Sequence, residues 1–245
     1  MTRPNIIKII CHDIGKHLGC YGIKSVNTNS IDSLAKEGIL FNNAFATSPG
    51  CSPSRAAIAT GRYPHNTGVL GLAHAHFGWS LDKKIKHIAK YFSSNDYNSI
   101  LFGLQHVTYH EETLGFKKIF PERPADHVIK NIEDNIDTIL FKKPFYAEVN
   151  FFEPHRPFDY GGVKPFRSKG VYIPKYIPNN RNIKKEFAAM QGAIKKMDES
   201  VGKIINILKK KNLYQNTIII FTTDHGIPFP RAKGTLYDAG IESSL

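Results

Sequence analysis

Four runs of apolar, mostly β-branched residues punctuate the chain: "NIIKIIC" at 5–11, "YNSILF" at 97–102, "FYAEVNFF" at 145–152 and "NTIIIFTT" at 216–223. Runs of this length and composition predict buried strands. Helix-period segments lie between them, near 28–37, 53–60, 82–93, 125–140 and 181–211. The last carries Phe187, Met190, Ile194, Met197, Val201, Ile204 and Leu208 at alternating three- and four-residue steps, which puts one apolar stripe against a sheet. Strands alternating with helices predict an α/β fold, a doubly wound and mostly parallel central sheet flanked by helices. The segment 153–180 is rich in Pro, Gly and aromatics and has no period. It reads as a long ordered loop, and loops of that length usually carry function.

Ligands of open α/β sheets bind beyond the carboxyl ends of the strands. Here those ends are polar: His12-Asp13 after the first strand, Gly103-Leu104-Gln105-His106 after the second, Glu153 with His155-Arg156 after the third, and Asp224-His225 after the fourth. Two carboxylates brought together, Asp13 and Asp224, need a cation, a shared proton or an arginine to coexist. A divalent metal with His12 and His225 as neighbouring ligands answers that need, although a single Asp after a strand also serves as a helix N-cap. Pro49-Gly50 predicts a turn and Pro53 suits a first helical turn, so Cys51 starts a helix whose amides favour an anion. Arg55 follows one turn later, able to fork onto an oxyanion. Cys51 itself is a small buried residue, a thiol nucleophile or the precursor of another group.

Composition narrows this picture. The 245 residues, 41% hydrophobic, suffice for one substantial domain over 1–245. Three cysteines, Cys11, Cys20 and Cys51, have neither disulfide-framework nor metal-site spacing, which points to a reducing compartment. The N-terminus lacks a signal-peptide apolar region, and no run approaches the ~20 apolar residues of a membrane span, so a cytoplasmic protein without a membrane partner is expected. The net charge of +12, from 33 Lys+Arg against 21 Asp+Glu, could match a polyanion. Many of the lysines fall in helical runs such as "KKIKHIAK" and "LKKKN", where a solvated face accounts for them. No nucleic-acid-binding motif accompanies them, so nucleic acid is not an expected partner.

The stretch "CSPSRAAIATGRYPHNTG" from Cys51 resembles the signature of type I sulfatases, C-x-P-x-R with its extension. Other segments follow in that family's order: "NIIKIICHDIGKHLGCYG", "SIDSLAKEGILFNNAFATSPGCSPSR", "FGLQHV", "NFFEPHRPF" and "IIIFTTDHGIPFPRAKGTLYDAG". Within the family, "PHRP" and "DHGIPFP" are most similar to the heparan N-sulfatase (sulfamidase) branch and its bacterial relatives. The resemblance implies an alkaline phosphatase superfamily fold and conversion of Cys51 to formylglycine by a maturation enzyme. It further implies a divalent metal, Ca²⁺ in most of the family, with His12, Asp13, Cys51, Asp224 and His225 at its ligand positions. His155 corresponds to a substrate-contacting histidine, His106 to the histidine beside the nucleophile, and Arg55 and Lys233 to charge-stabilising cations. The implied substrate is a sulfated small molecule or glycan, carrying a sulfate ester or a sulfamate.

Three departures from the pattern matter. His12 stands where the family has an aspartate, Leu104 where it has a lysine, and the chain ends at "IESSL" where the family continues into a C-terminal subdomain, which predicts a truncated sulfatase. Two other functions compete: a phosphate or phosphonate monoester hydrolase of the same superfamily, and an inactive remnant with an anion-binding surface. His65, His74 and His76 either line the pocket or sit on the surface, and Trp79 either stacks on a sugar or packs against the protein. The pair Glu111-Glu112 reads as solvated.

Overall fold

The computed structural model describes residues 3–74, 76, 78–139 and 144–245. Five strands form one sheet: β1 (Asn5–Cys11), β2 (Asn98–Gly103), β3 (Lys118–Phe120), β4 (Phe145–Asn150) and β5 (Thr217–Thr223), in the order β3-β2-β4-β1-β5. Every pairing is parallel. The helices are α1 (Asn29–Glu37), α2 (Cys51–Thr60), α3 (Pro64–Thr67), α4 (Ile88–Ser94), α5 (Ala125–Ile139), α6 (Arg181–Lys210) and α7 (Asp238–Ile241). Among the described residues no helix is long and apolar enough to cross a membrane.

Alternation along the strands divides the core in two. Ile7 and Ile9 of β1, Ile100 and Phe102 of β2, and Ala147 and Val149 of β4 meet the stripes of α5 and α6, including Val128, Ile132, Met190, Ile194, Met197 and Val201. On the other face Tyr146 packs with Ala89, Ile88 and Phe92 of α4. Helices therefore cover both faces, as the pattern predicts, and the predicted stripe of α6 lies in the main core.

The differences from the sequence reading are local. The predicted helix over 82–93 begins at Ile88, because His87 Nδ1 accepts the Ala89 amide as its N-cap. The strand β3 has only three residues, too few for a periodic signal, and begins with exposed Lys118. Residue 140, the last of the predicted helix over 125–140, lies outside the described residues. The segment 153–180 is a loop apart from a single 3₁₀ turn at Tyr160–Gly162. Buried Gln191 of α6 ties it down, its amide donating to the carbonyls of Phe166 and Gly170 while its oxygen accepts from the Tyr172 amide.

One ion pair is buried inside the sheet. Register places Lys8 of β1 beside Glu148 of β4, with Nζ 2.8 Å from Oε2. Tyr146 and Asn150 donate to the two oxygens of the same carboxylate. Burial alone would raise the Glu148 pKa, but Lys8, His87 and the Asn150 amide hold it down to about 2. Breaking such a pair strands a buried charge, so Lys8→Met should lower unfolding free energy by about 3–5 kcal/mol, whereas Lys8→Met with Glu148→Leu should recover most of it. Urea unfolding of the two variants checks this. A double variant no better than the single would refute the account.

A second expectation concerns acid. His17 is buried between the rings of Tyr172 and Phe187, and burial pulls its pKa down from 6.5 to about 3. The unfolded chain therefore binds the proton more readily below pH 6.5. The contribution of neutral His17 is complete above that pH and is lost as pH falls toward about 3, by roughly 2 kcal/mol at pH 5. Denaturation midpoints of wild type and His17→Phe, compared at pH 7 and pH 5, should show the variant to be the less acid-sensitive.

Candidate active site

The site forms where β1 and β5 end side by side and α2 starts above them. Cys11 pairs with Thr223 as the last register pair, so His12-Asp13 and Asp224-His225 emerge as neighbours. Asp13 takes a positive φ of 53°, an uncommon conformation for a non-glycine residue and one that recurs at functional sites. His106 does the same at 64°. Its approach depends on Gly103, whose φ is 86° and where a Cβ would lie 1.9 Å from the Asn150 carbonyl oxygen.

Asp224 is wholly buried and is the most heavily supported group of the cluster. Its Oδ1 accepts the amides of Asp13 and His225, both at 3.0 Å, and its Oδ2 accepts Arg55 Nε at 3.0 Å. His12 Nδ1 stands 2.9 Å from the same Oδ2, within ion-pair range but off the line of a good hydrogen bond. Burial opposes the charge, yet His225, His12 and Arg55 hold this carboxyl well below the usual range, and Arg55 is the permanent cation among them. Ser54 adds a hydroxyl bond to the Asp224 carbonyl.

Asp13 is buried too. Lys233 Nζ donates to both of its oxygens, at 2.9 and 2.8 Å, and although burial disfavours the ammonium, Asp13 more than compensates and raises the Lys233 pKa. His155 Nε2 lies 3.9 Å from Asp13 Oδ2 on the open side of the cluster, with its side chain 30% exposed.

Cys51 is the first residue of α2, behind the non-helical N-cap Gly50, and Arg55 sits one turn along on the same face. Its sulfur is 3.3 Å from His225 Nε2 and 4.0 Å from Asp13 Oδ1. Burial, then the Asp224 and Asp13 carboxylates, push the thiol pKa up to about 12. His12 and His106 are pulled the other way, to about 4 and about 2, in each case chiefly by burial. Both are neutral imidazoles at pH 7.

The donor chemistry fits a divalent cation. His225 Nδ1 lies 3.0 Å from the Gly226 carbonyl, and a neutral ring that donates there turns an Nε2 lone pair toward Asp13 Oδ1, only 3.2 Å away. Two acceptors that close need a cation between or beside them. His12 Nε2 is likewise buried with no partner. His12, Asp13, Cys51 and Asp224 each offer a donor atom, all within 4.8 Å of one another.

All the residues singled out for the site, from His12 to Lys233, thus face one cluster, but other rim residues do not. Glu153 caps α5, accepting the Ala125 amide, and Arg156 turns away to Glu186 and the Pro228 carbonyl. Gln105 closes its own turn through Val107 and Thr108. Leu104 brings no charge; its carbonyl accepts from Arg55. His74 joins the site through His106, its Nδ1 against His106 Nε2, whereas His65 stacks on Tyr63 and Trp79 packs over Gly71. Nothing in "AHAHFGW" distinguishes His74 from His76, so this contact was not readable from sequence.

The thiol pKa has a direct consequence. At pH 7.5 a thiol with a pKa of about 12 is ionised in only on the order of one molecule in 10⁴. Native Cys51 should therefore resist iodoacetamide at that pH and react after unfolding, as read by mass spectrometry of the Cys51 peptide. Labelling as fast as that of a free thiol would overturn the electrostatic picture.

The sulfatase family model matches 4–139 and 122–243. Human N-sulphoglucosamine sulphohydrolase is 27% identical over 279 residues, covering 100% of this chain and 55% of the relative. An ulvan-active sulfatase of Formosa agariphila is 27% identical over 297 residues, covering 99% of this chain and 47% of the relative. The chain spans about half the length of these curated relatives. Among solved structures, the phosphonate monoester hydrolase of Agrobacterium radiobacter superposes with a TM-score of 0.76 at 21% identity, covering 99% of this chain and 67% of that one, which is a likeness of fold. The family match extends through both strand ends and the helix that starts at Cys51, and on it this chain belongs to the sulfatase family.

Proposed function

We propose that the chain carries the catalytic centre of a sulfatase that hydrolyses sulfate esters or sulfamates, with a glycan as substrate and formylglycine derived from Cys51 as nucleophile. The observation that carries this reading is the setting of Cys51. It sits against two carboxylates and an imidazole at a helix start, yet its pKa of about 12 leaves the thiol inert at neutral pH. An aldehyde hydrate at that position offers an oxygen nucleophile where the thiol offers none. Both curated relatives bear the names of sulfated-glycan enzymes, which supports the substrate class. A formylglycine-generating maturation enzyme is the partner this chemistry requires.

In the proposed reaction one hydroxyl of the hydrate loses its proton to solvent and attacks sulfur, forming a C–O–S bond as the bond to the alcohol or amine breaks. His155, on the open side of the cluster, gives the leaving group its proton from Nε2. The second hydroxyl then loses its proton to solvent, the C=O bond re-forms as the C–O bond to sulfate breaks, and water restores the hydrate. His106 stands beside the hydrate, and Lys233 faces the developing negative charge. Arg55 acts through Asp224, to which its Nε is committed, rather than on the substrate. Asp13, Asp224 and His225 would hold a divalent cation, Ca²⁺ by resemblance to the family, which when bound supplies Lewis-acid polarisation of a sulfate oxygen.

Leu104 in place of a lysine favours sulfate over phosphate, since a phosphate monoester dianion carries one more charge for the site to neutralise. Paired aryl sulfate and aryl phosphate substrates test this. A kcat/KM preference for phosphate of several orders of magnitude would reassign the enzyme to the phosphate and phosphonate hydrolases. Aldehyde at residue 51 by mass spectrometry, without turnover of either substrate, would support the inactive anion-binding reading instead. His155→Ala should reduce kcat by about 10²–10⁴ on esters with poor leaving groups and far less on activated aryl sulfates. Full activity on a poor leaving group would remove His155 from this role.

A further inference from the structure

We propose that, while Cys51 is unconverted, the same cluster forms a nitrogen–sulfur site for a borderline-soft divalent ion such as Zn²⁺, built from Cys51 Sγ, His12 Nε2 and His106 Nδ1. This goes beyond the sulfatase reading and does not depend on turnover.

Three observations carry it. His12, Cys51 and His106 each offer a donor atom within 4.8 Å of the others, all three residues are more than nine-tenths buried, and none of the three donors is a carboxylate. His12 Nε2 and His106 Nδ1 are also buried ring nitrogens without a hydrogen-bond partner, a costly condition unless something binds there. Finally, the opposite nitrogen of His106 is engaged by His74 Nδ1, while Asp224 Oδ2 lies 2.9 Å from His12 Nδ1, in ion-pair range though off the line of a good hydrogen bond. An outer partner such as His74 orients the ring it touches and turns the near nitrogen of that ring toward a metal.

The donor set selects the ion. Thiolate and imidazole suit Zn²⁺ and its neighbours, whereas Ca²⁺ demands an oxygen cage. Bonds of about 2.0–2.3 Å put the ligands of a tetrahedral ion roughly 3.3–3.8 Å apart, and donors that already lie within 4.8 Å of one another need only small side-chain rotations to close. The fourth position remains for water or Asp224. On binding, the Sγ–H bond breaks, the S–metal bond forms, and the proton leaves to solvent. Conversion of Cys51 removes the sulfur, so the metal preference of the centre depends on the chemical state of residue 51.

The test uses the unconverted chain, residues 1–245, with Co²⁺ and Zn²⁺ alone. Co²⁺ should give a thiolate-to-metal charge-transfer band with intense tetrahedral ligand-field bands. Cys51→Ser should abolish the charge-transfer band. His106→Gln and His74→Ala should each weaken Co²⁺ binding, the latter by about 10–100-fold, the usual effect of losing an outer partner. X-ray absorption of the Zn²⁺-loaded wild type, which needs no variant to fold, should show one sulfur and two imidazole nitrogens. No charge-transfer band, an oxygen-dominated shell, or a charge-transfer band with affinity unchanged in His106→Gln would each overturn the proposal. All these readouts report ligation, so an absence of sulfatase activity would not be mistaken for their failure.

Discussion

A single buried charge, the Asp224 carboxylate, organises the centre. A carboxylate removed from water is tolerable only when its lone pairs are taken up by donors and cations. Asp224 finds them on three elements: the amides at the ends of β1 and β5, and the guanidinium of Arg55 on α2. Satisfying that charge draws the start of α2 onto the strand ends, and so brings Cys51 to His225 and Asp13. The arrangement of the site follows from meeting the electrostatic needs of its most buried member.

The fold beneath it is built to hold still. Lys8 and Glu148 lock the register of adjacent central strands on the face opposite the main core, and a slip of one residue would leave both charges buried and unpaired. At the other end, Gly226 admits the carbonyl of Ala239 where a Cβ would stand 1.8 Å away, which lets α7 close against the end of β5 and set the turn that carries Lys233. Gln191 fastens the long loop that begins beside His155. His155 and Lys233 both lie on the partly exposed side of the cluster.

Burial also sorts the histidines by function. His12 and His106 are kept neutral and so offer lone pairs, while His155 stays partly exposed on the open side. Around residue 51 there are consequently two donor classes, the carboxylates of Asp13 and Asp224 and the imidazoles of His12 and His106. Under the proposed nitrogen–sulfur site, the class a metal would meet depends on whether residue 51 presents sulfur or oxygen.

Much of this was legible in the chain itself. The β-branched runs and the stripe of α6 determined a parallel sheet between helices, because burying those residues leaves few alternatives. The polar residues directly after each strand marked the rim, since parallel strands deliver their carboxyl ends to one side. Other features arose only on folding. The three residues of β3 are too few for a pattern, and Glu153 was read as a rim group until the Ala125 amide claimed it. His74 is one of several similar histidines until the chain brings it to His106. The inert thiol of Cys51, the neutral His12 and the lasting charge of Asp224 are likewise properties of desolvation and of neighbours distant in sequence, which tertiary structure alone supplies.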